Sequence, residues 1–89
     1  MKTAPLLRSP GEHWVEADGM HVEVRGLLPP NPFVTIIGLI ERLAAGQTLT
    51  VHHDRDPVPL YAELAERGWL AERIAGEPGE VRLLLSRDA

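Results

Sequence analysis

The chain contains no cysteine. That absence removes disulfides, thiolate nucleophiles, persulfide carriage, thiolate-ligated zinc and iron–sulfur clusters. It also leaves the sequence silent on redox compartment. A basic run is missing as well: nine Lys and Arg stand against thirteen Asp and Glu, for a net charge of −4. Sequence-blind binding to nucleic acid or to an anionic membrane surface relies on clustered Lys and Arg, so neither is expected as a partner. Aromatic residues are scarce, at 4%. Trp14, Trp69, Tyr61 and Phe33 are not interleaved with basic residues, and they read as core or edge packing rather than base-stacking platforms. No run approaches the roughly 20 apolar residues of a spanning helix. The opening "MKTAPLLRSPGEHW" lacks the apolar centre of a signal peptide, so a cytoplasmic location is expected. There is no glycine-rich phosphate loop, no dinucleotide fingerprint and no motif around Ser9 or Ser86 that would make a nucleophile. Enzyme activity is not expected, and neither is a cofactor.

What is present is the pattern of one small α/β domain. Eighty-nine residues leave room for a single core, and an apolar content of 44% is ordinary for a globular chain. Residues 1–12 mix Pro, Gly, Ser and charge and read as a flexible tail, with the domain over 13–89. Asp18-Gly19 predicts a hairpin tip, because both positions of a tight hairpin turn take positive φ. Val22 and Val24 alternate with His21, Glu23 and Arg25. That period of two predicts a strand over 20–26, with an optional short partner at about 13–17.

The period then changes. Phe33, Ile36, Ile37, Ile40, Leu43 and Ala44 recur at helical spacing. Asn31 is expected to cap this helix, Pro32 to take its first position and Gly46 to close it. "QTLTVHH" returns to a strand. Asp56-Pro57 repeats the capper-then-proline device ahead of Leu60, Tyr61, Leu64 and Ala65, a stripe that ends at Arg67-Gly68. Two further strands, at about 69–75 and 80–86, flank the turn "GEPG".

The order is βαβαββ. It predicts an α/β two-layer sandwich with a mixed four-stranded sheet, two helices on one face and room for the extra N-terminal strand. The other face is expected to be open and polar, presenting His21, Glu23, Arg25, Thr48, Thr50, His52 and Arg82. Glu23 with Arg25, and Glu41 with Arg42, read as surface charges.

"VRGLLPPNPFVTIIGLIERLAAGQTLTV", followed by "DPVPLYAELAERGW", resembles the small TusA/SirA-type sulfur-carrier domain over roughly residues 20–86. In that family a strand runs into Gly-Leu-x-Cys-Pro-x-Pro. Here the matching residues are Gly26-Leu27-Leu28-Pro29-Pro30-Asn31-Pro32, so the carrier cysteine falls on Pro29. The resemblance implies a sheet whose four main strands run 1-2-4-3, with the last antiparallel to the others. It does not carry the activity, since Pro29 has no group to accept a persulfide. The chain looks closer to an uncharacterised bacterial branch with a Pro-Pro-x-Pro joint and a segment matched here by His53, Asp54, Asp56, Pro57, Pro59, Leu60 and Tyr61. Such relatives tend to accompany hemerythrin-like and nitrogen-oxide-related proteins.

Two candidate regions follow. The first is a docking surface made of Pro29, Pro30, Asn31, Pro32 and Phe33 in the joint, with His53, Asp54, Arg55, Asp56 and Tyr61 opposite. It would serve a non-catalytic interaction or regulatory domain, monomeric or weakly dimeric, with an unknown protein partner. The joint keeps the geometry of a site and lacks its reacting atom. An anion at the helix start is disfavoured because prolines remove N–H donors there. The second region is the cluster "HHDRD". His52, His53 and Asp54 are weak candidate metal ligands, in an alternative reading as a metal- or small-ligand-binding accessory of iron or nitrogen-oxide metabolism. A strand would turn His52 and His53 to opposite faces, which leaves such a site short of ligands. Translation-factor domains share the general topology, but the acidic charge counts against nucleic acid.

Overall fold

The computed structural model describes residues 8–88. Seven elements follow one another: β1 (His13–Glu16), β2 (Gly19–Glu23), α1 (Asn31–Ile40), β3 (Leu49–His53), α2 (Val58–Glu66), β4 (Trp69–Ile74) and β5 (Val81–Arg87). The sheet has five strands in the order β1-β2-β3-β5-β4. β2 and β3 pair in parallel, with His21 opposite Thr50 and Glu23 opposite His52. The β1–β2, β3–β5 and β4–β5 pairs are antiparallel. The four expected strands keep the order 1-2-4-3, and the optional N-terminal strand is real and extends one edge.

Alternation decides what lies under the helices. Val22 and Val24, Leu49 and Val51, Val81, Leu83 and Leu85, and Trp69 form one core with Ile36, Ile37, Leu39 and Ile40 of α1 and Leu60 and Leu64 of α2. Full burial of one Leu, Ile or Val contributes roughly 1.5–3 kcal/mol. At the far end Arg87 donates to the Leu43 carbonyl at 3.0 Å and lies over the Trp69 ring at 4.9 Å.

Several local expectations are corrected. The β1–β2 turn is made by Ala17 and Asp18, one residue earlier than predicted, because Glu16 pairs with Gly19. Asp18 does not take positive φ. Gly19 does, and a Cβ there would stand 2.8 Å from the Thr48 hydroxyl, so the position requires glycine twice over. α1 stops at Ile40, leaving Leu43 buried in the following loop. Neither helix has a side-chain cap: Asn31 is already the first residue of α1, and Pro57 precedes α2. Backbone carbonyls serve instead, with Asn31 N–H donating to Leu28 and Leu60 N–H to Pro57. Proline at 32, 57 and 59 removes donors that would otherwise need a cap.

The largest correction concerns the face away from the helices. His21, Glu23, Thr50 and His52 are all buried. Side chains from β1, β2, β3 and β5 close over one another there, so the polar residues are interior residues. Residues 8–12, read as part of the tail, run beside β2: Gly11 N–H donates to the Glu23 carbonyl and Glu23 N–H to the Glu12 carbonyl. The remainder of the expected tail, residues 1–7, lies outside the described residues.

Candidate functional site

The joint between β2 and α1 packs against the segment between β3 and α2. Both segments leave the carboxyl ends of neighbouring parallel strands, the position where open α/β sheets form crevices. A groove of about 160 Å³ lies between them. Leu27, Pro29, Pro30, Pro32, Phe33 and Ile36 form one wall, and His53, Arg55, Asp56, Pro57, Pro59 and Leu60 the other. Seven of the ten residues read from the sequence as a docking surface therefore line one cavity. Asn31, Asp54 and Tyr61 stand outside it. The Pro29–Pro30 peptide is cis.

The outlying residues hold the groove's shape. Asp54 accepts a hydrogen bond from Gly26 N–H at 3.4 Å, which links the two lips, and another from Arg55 Nε at 3.2 Å. Burial alone would raise its carboxyl; these bonds and His53 outweigh that and hold it below the usual carboxylate range. The Tyr61 hydroxyl donates to Asp56. Burial, then the Asp56 carboxylate, pushes the Tyr61 phenol up to about 12.

His53 is buried at the inner end of the groove. Its Nδ1 accepts from the backbone N–H groups of Asp54 at 2.9 Å and Arg55 at 3.3 Å. That assigns the proton of the neutral ring to Nε2. Burial lowers its pKa, against the pull of Asp54. The ring acts as the turn's own acceptor. No thiol, hydroxyl nucleophile or paired carboxylates line the groove, whose polar members are already engaged or exposed. Its chemistry is apolar recognition with charge at the rim.

His52 parts from His53 and faces the opposite side of the sheet. There a line of hydrogen bonds crosses three strands. His21 Nε2 is 2.7 Å from Asp18 Oδ1; His21 Nδ1 is 2.9 Å from His52 Nε2; His52 Nδ1 is 2.6 Å from Glu80 Oε2. Arg82 grips both oxygens of Glu80 at 2.9 Å, and Glu77 N–H donates to one of them at 2.8 Å. Burial alone would raise Glu80; Arg82, the Glu77 amide and His52 together overcome it and hold the carboxyl at about 2. The Trp14 ring stacks on His21 and His52, at 5.4 and 5.5 Å between centroids, with Arg8 above it at 4.5 Å. Beside this line Arg25 forks onto the buried Glu23 carboxylate. That pair is half interior, where the sequence reading had placed it on the surface.

His52, His53 and Asp54 thus do not converge. Among the described residues the grouping spaced to share an ion is Glu16, Asp18 and His21. Sequence reasoning missed Trp14, Glu16, Asp18 and Glu80 as partners of the histidines. One signal was available: a hairpin tip near residue 18 folds Trp14 back opposite His21.

Among the described residues no helix is long and apolar enough to cross a membrane. The family described as "Uncharacterized conserved protein (DUF2249)" matches residues 21–87, well over half of the chain, and the chain belongs to that family. No curated protein matches it.

Proposed function

We propose that this family member is a non-catalytic, cytoplasmic protein-interaction or regulatory domain that receives one apolar side chain of a partner protein in the groove between the Pro29–Phe33 joint and the His53–Leu60 segment. The observation that carries this reading is the groove itself. It is walled by prolines, Phe33, Leu27, Ile36 and Leu60, and it measures about 160 Å³. An apolar cavity of roughly 150 Å³ accepts one benzene-sized group, so the space suits a single aromatic or large aliphatic side chain. Arg55, with its side chain 62% exposed, and Asp56 give the rim a charge pattern that can select what flanks that side chain.

Kinship with bacterial TusA/SirA-type carriers belongs to the same proposal. The element order and the proline joint support it. With proline at the carrier's thiol position, the scaffold retains a docking mouth and no means of carrying sulfur. No cofactor is required, nucleic acid is disfavoured by the net charge of −4, and the domain works as a monomer or a weak homodimer.

A photocrosslinking amino acid at Leu28, which is exposed between two groove residues, tests this reading in the cells that make the protein. The expected result is a discrete protein adduct that Phe33→Ser and Arg55→Glu each abolish. The same probe at Leu70, exposed on β4, should give none. Equal adducts at both positions, or an adduct indifferent to both substitutions, overturns the proposal.

A further inference from the structure

His53 is engaged through one ring nitrogen only, although just 3% of its side chain is exposed. Nδ1 takes the amide hydrogens of Asp54 at 2.9 Å and Arg55 at 3.3 Å. Amides can only donate, so Nδ1 is the acceptor and the neutral ring carries its hydrogen on Nε2. Asp54 Oδ1 also stands 3.2 Å from Nδ1, but Arg55 Nε supplies that oxygen with a donor. Burial lowers the pKa of the ring and keeps it neutral at pH 7. Among the described residues Nε2 has no partner, and it would lack one in either tautomer. A buried polar atom without a partner is uncommon in a folded chain. Nδ1 is turned to the backbone of its own turn, yet the ring lines the groove. The edge it offers the groove is therefore the one that bears Nε2. An otherwise apolar groove has a hydrogen-bond donor at its inner end.

We propose that the occupant of the groove is a tyrosine side chain of the partner protein, its ring between the two lips and its hydroxyl oxygen accepting from His53 Nε2–H. This rests on the docking reading above and adds the chemistry of the tip. Each competing side chain fails on one observation. A tryptophan N–H or a lysine would set donor against donor. A carboxylate would lose its water in an apolar cleft, beside Asp54 and Asp56 with only Arg55 to offset them. Aliphatic and phenyl groups fit the space but leave Nε2–H unpaired. The thioether of methionine accepts only weakly. A phenol joins a benzene-sized body, matched to about 160 Å³, with a neutral oxygen that accepts. Acceptors for its own proton are close. Leu27, Pro29 and Arg55 line the groove, and among the described residues their carbonyls accept from no backbone group. The tyrosine comes from another protein, because the single one in this chain, Tyr61, has its hydroxyl committed to Asp56.

The test titrates the untagged full chain at pH 7 with two side-chain analogues, p-cresol and toluene, and reads methyl groups and histidine ring nitrogens by NMR. p-Cresol should bind saturably, shift the methyls of Leu27, Ile36 and Leu60, and move the Nε2–H resonance of His53. Toluene should reach the same methyls about 3- to 10-fold more weakly, the difference one hydrogen bond between neutral groups makes, and leave Nε2–H in place. These readouts need no variant. His53→Asn keeps an acceptor for the two amides and removes the donor, so it should bind both probes alike. The Leu28 crosslink should map to a partner peptide that contains tyrosine and should be lost when that tyrosine is changed to phenylalanine. Toluene binding as tightly as p-cresol overturns the inference and leaves the docking reading standing. It is also overturned if neither probe binds, if His53 Nε2 carries no hydrogen, or if the crosslinked peptide lacks tyrosine. The docking reading falls only on the crosslinking outcome, so the two fail separately.

Discussion

Strand β3 buries Leu49, Val51 and His53 towards the helices and Thr50 and His52 on the opposite face, and all five are closed to solvent. The two faces reach the same burial by different means. Under the helices the gain is apolar area, which is non-directional and forgiving of shape. On the other face each buried donor needs its own acceptor at a fixed angle, and one missing hydrogen is felt along the whole line. Volume specifies the first face and stoichiometry the second.

Substitutions can break that comparison, and the largest effect is expected at the apolar centre. Leu83→Ala, at a residue with 1% exposure, should cost about 2–5 kcal/mol in urea unfolding, while Leu83→Met should cost less than about 1.5 kcal/mol. Glu80→Ala should cost about 3 kcal/mol, because it strands Arg82 and a His52 N–H. Here the conservative change should not rescue: Glu80→Gln is expected to cost about 2 kcal/mol. If Gln at 80 were as harmless as Met at 83, the polar face would not depend on stoichiometry.

Acid should act on one face more than the other. Glu80 is held at about 2 in the fold, against 4.5 as its ordinary value. A depressed carboxyl contributes stability that is complete above its unfolded pKa and is lost as pH falls through the folded one. Roughly 3 kcal/mol should therefore drain away between about pH 4.5 and 2. Unfolding free energies measured across that window should slope steeply in the native chain and less in Glu80→Gln. Parallel slopes would assign the acid sensitivity elsewhere.

Smaller effects sharpen the contrast. Trp14→Leu keeps apolar cover over the histidines and loses the bond to Glu16, which should cost about 1 kcal/mol. Tyr61→Phe, beside the groove, removes only an exposed bond to Asp56 and should cost less than about 1 kcal/mol. Thermal melts of the two variants should rank in that order.

Much of the fold is readable from periodicity. Val22 and Val24 differ in spacing from Ile36, Ile37 and Ile40, and that change of period marks where strand gives way to helix. The groove is readable too, because each of its lips is a single stretch of chain, at 27–33 and 53–60. The caps were misread because Asn31 and Asp56 have the right chemistry, whereas neighbouring backbone carbonyls and prolines had already dealt with the free N–H groups. The polar face could not be read. Alternating His and Glu look solvated in one strand. Only the cross-strand register, which sets His52 beside Glu23 and Arg82, shows that they cover one another.

His52 and His53 are consecutive, and a single peptide unit separates the interior of the groove from the histidine line. The strand is thus a lever with an arm on each side of the sheet. Any rigid shift of the strand that moves His53 in the groove also moves His52, whose ring stands 2.9 Å from His21. Neither face can be repositioned by the strand alone without the other following.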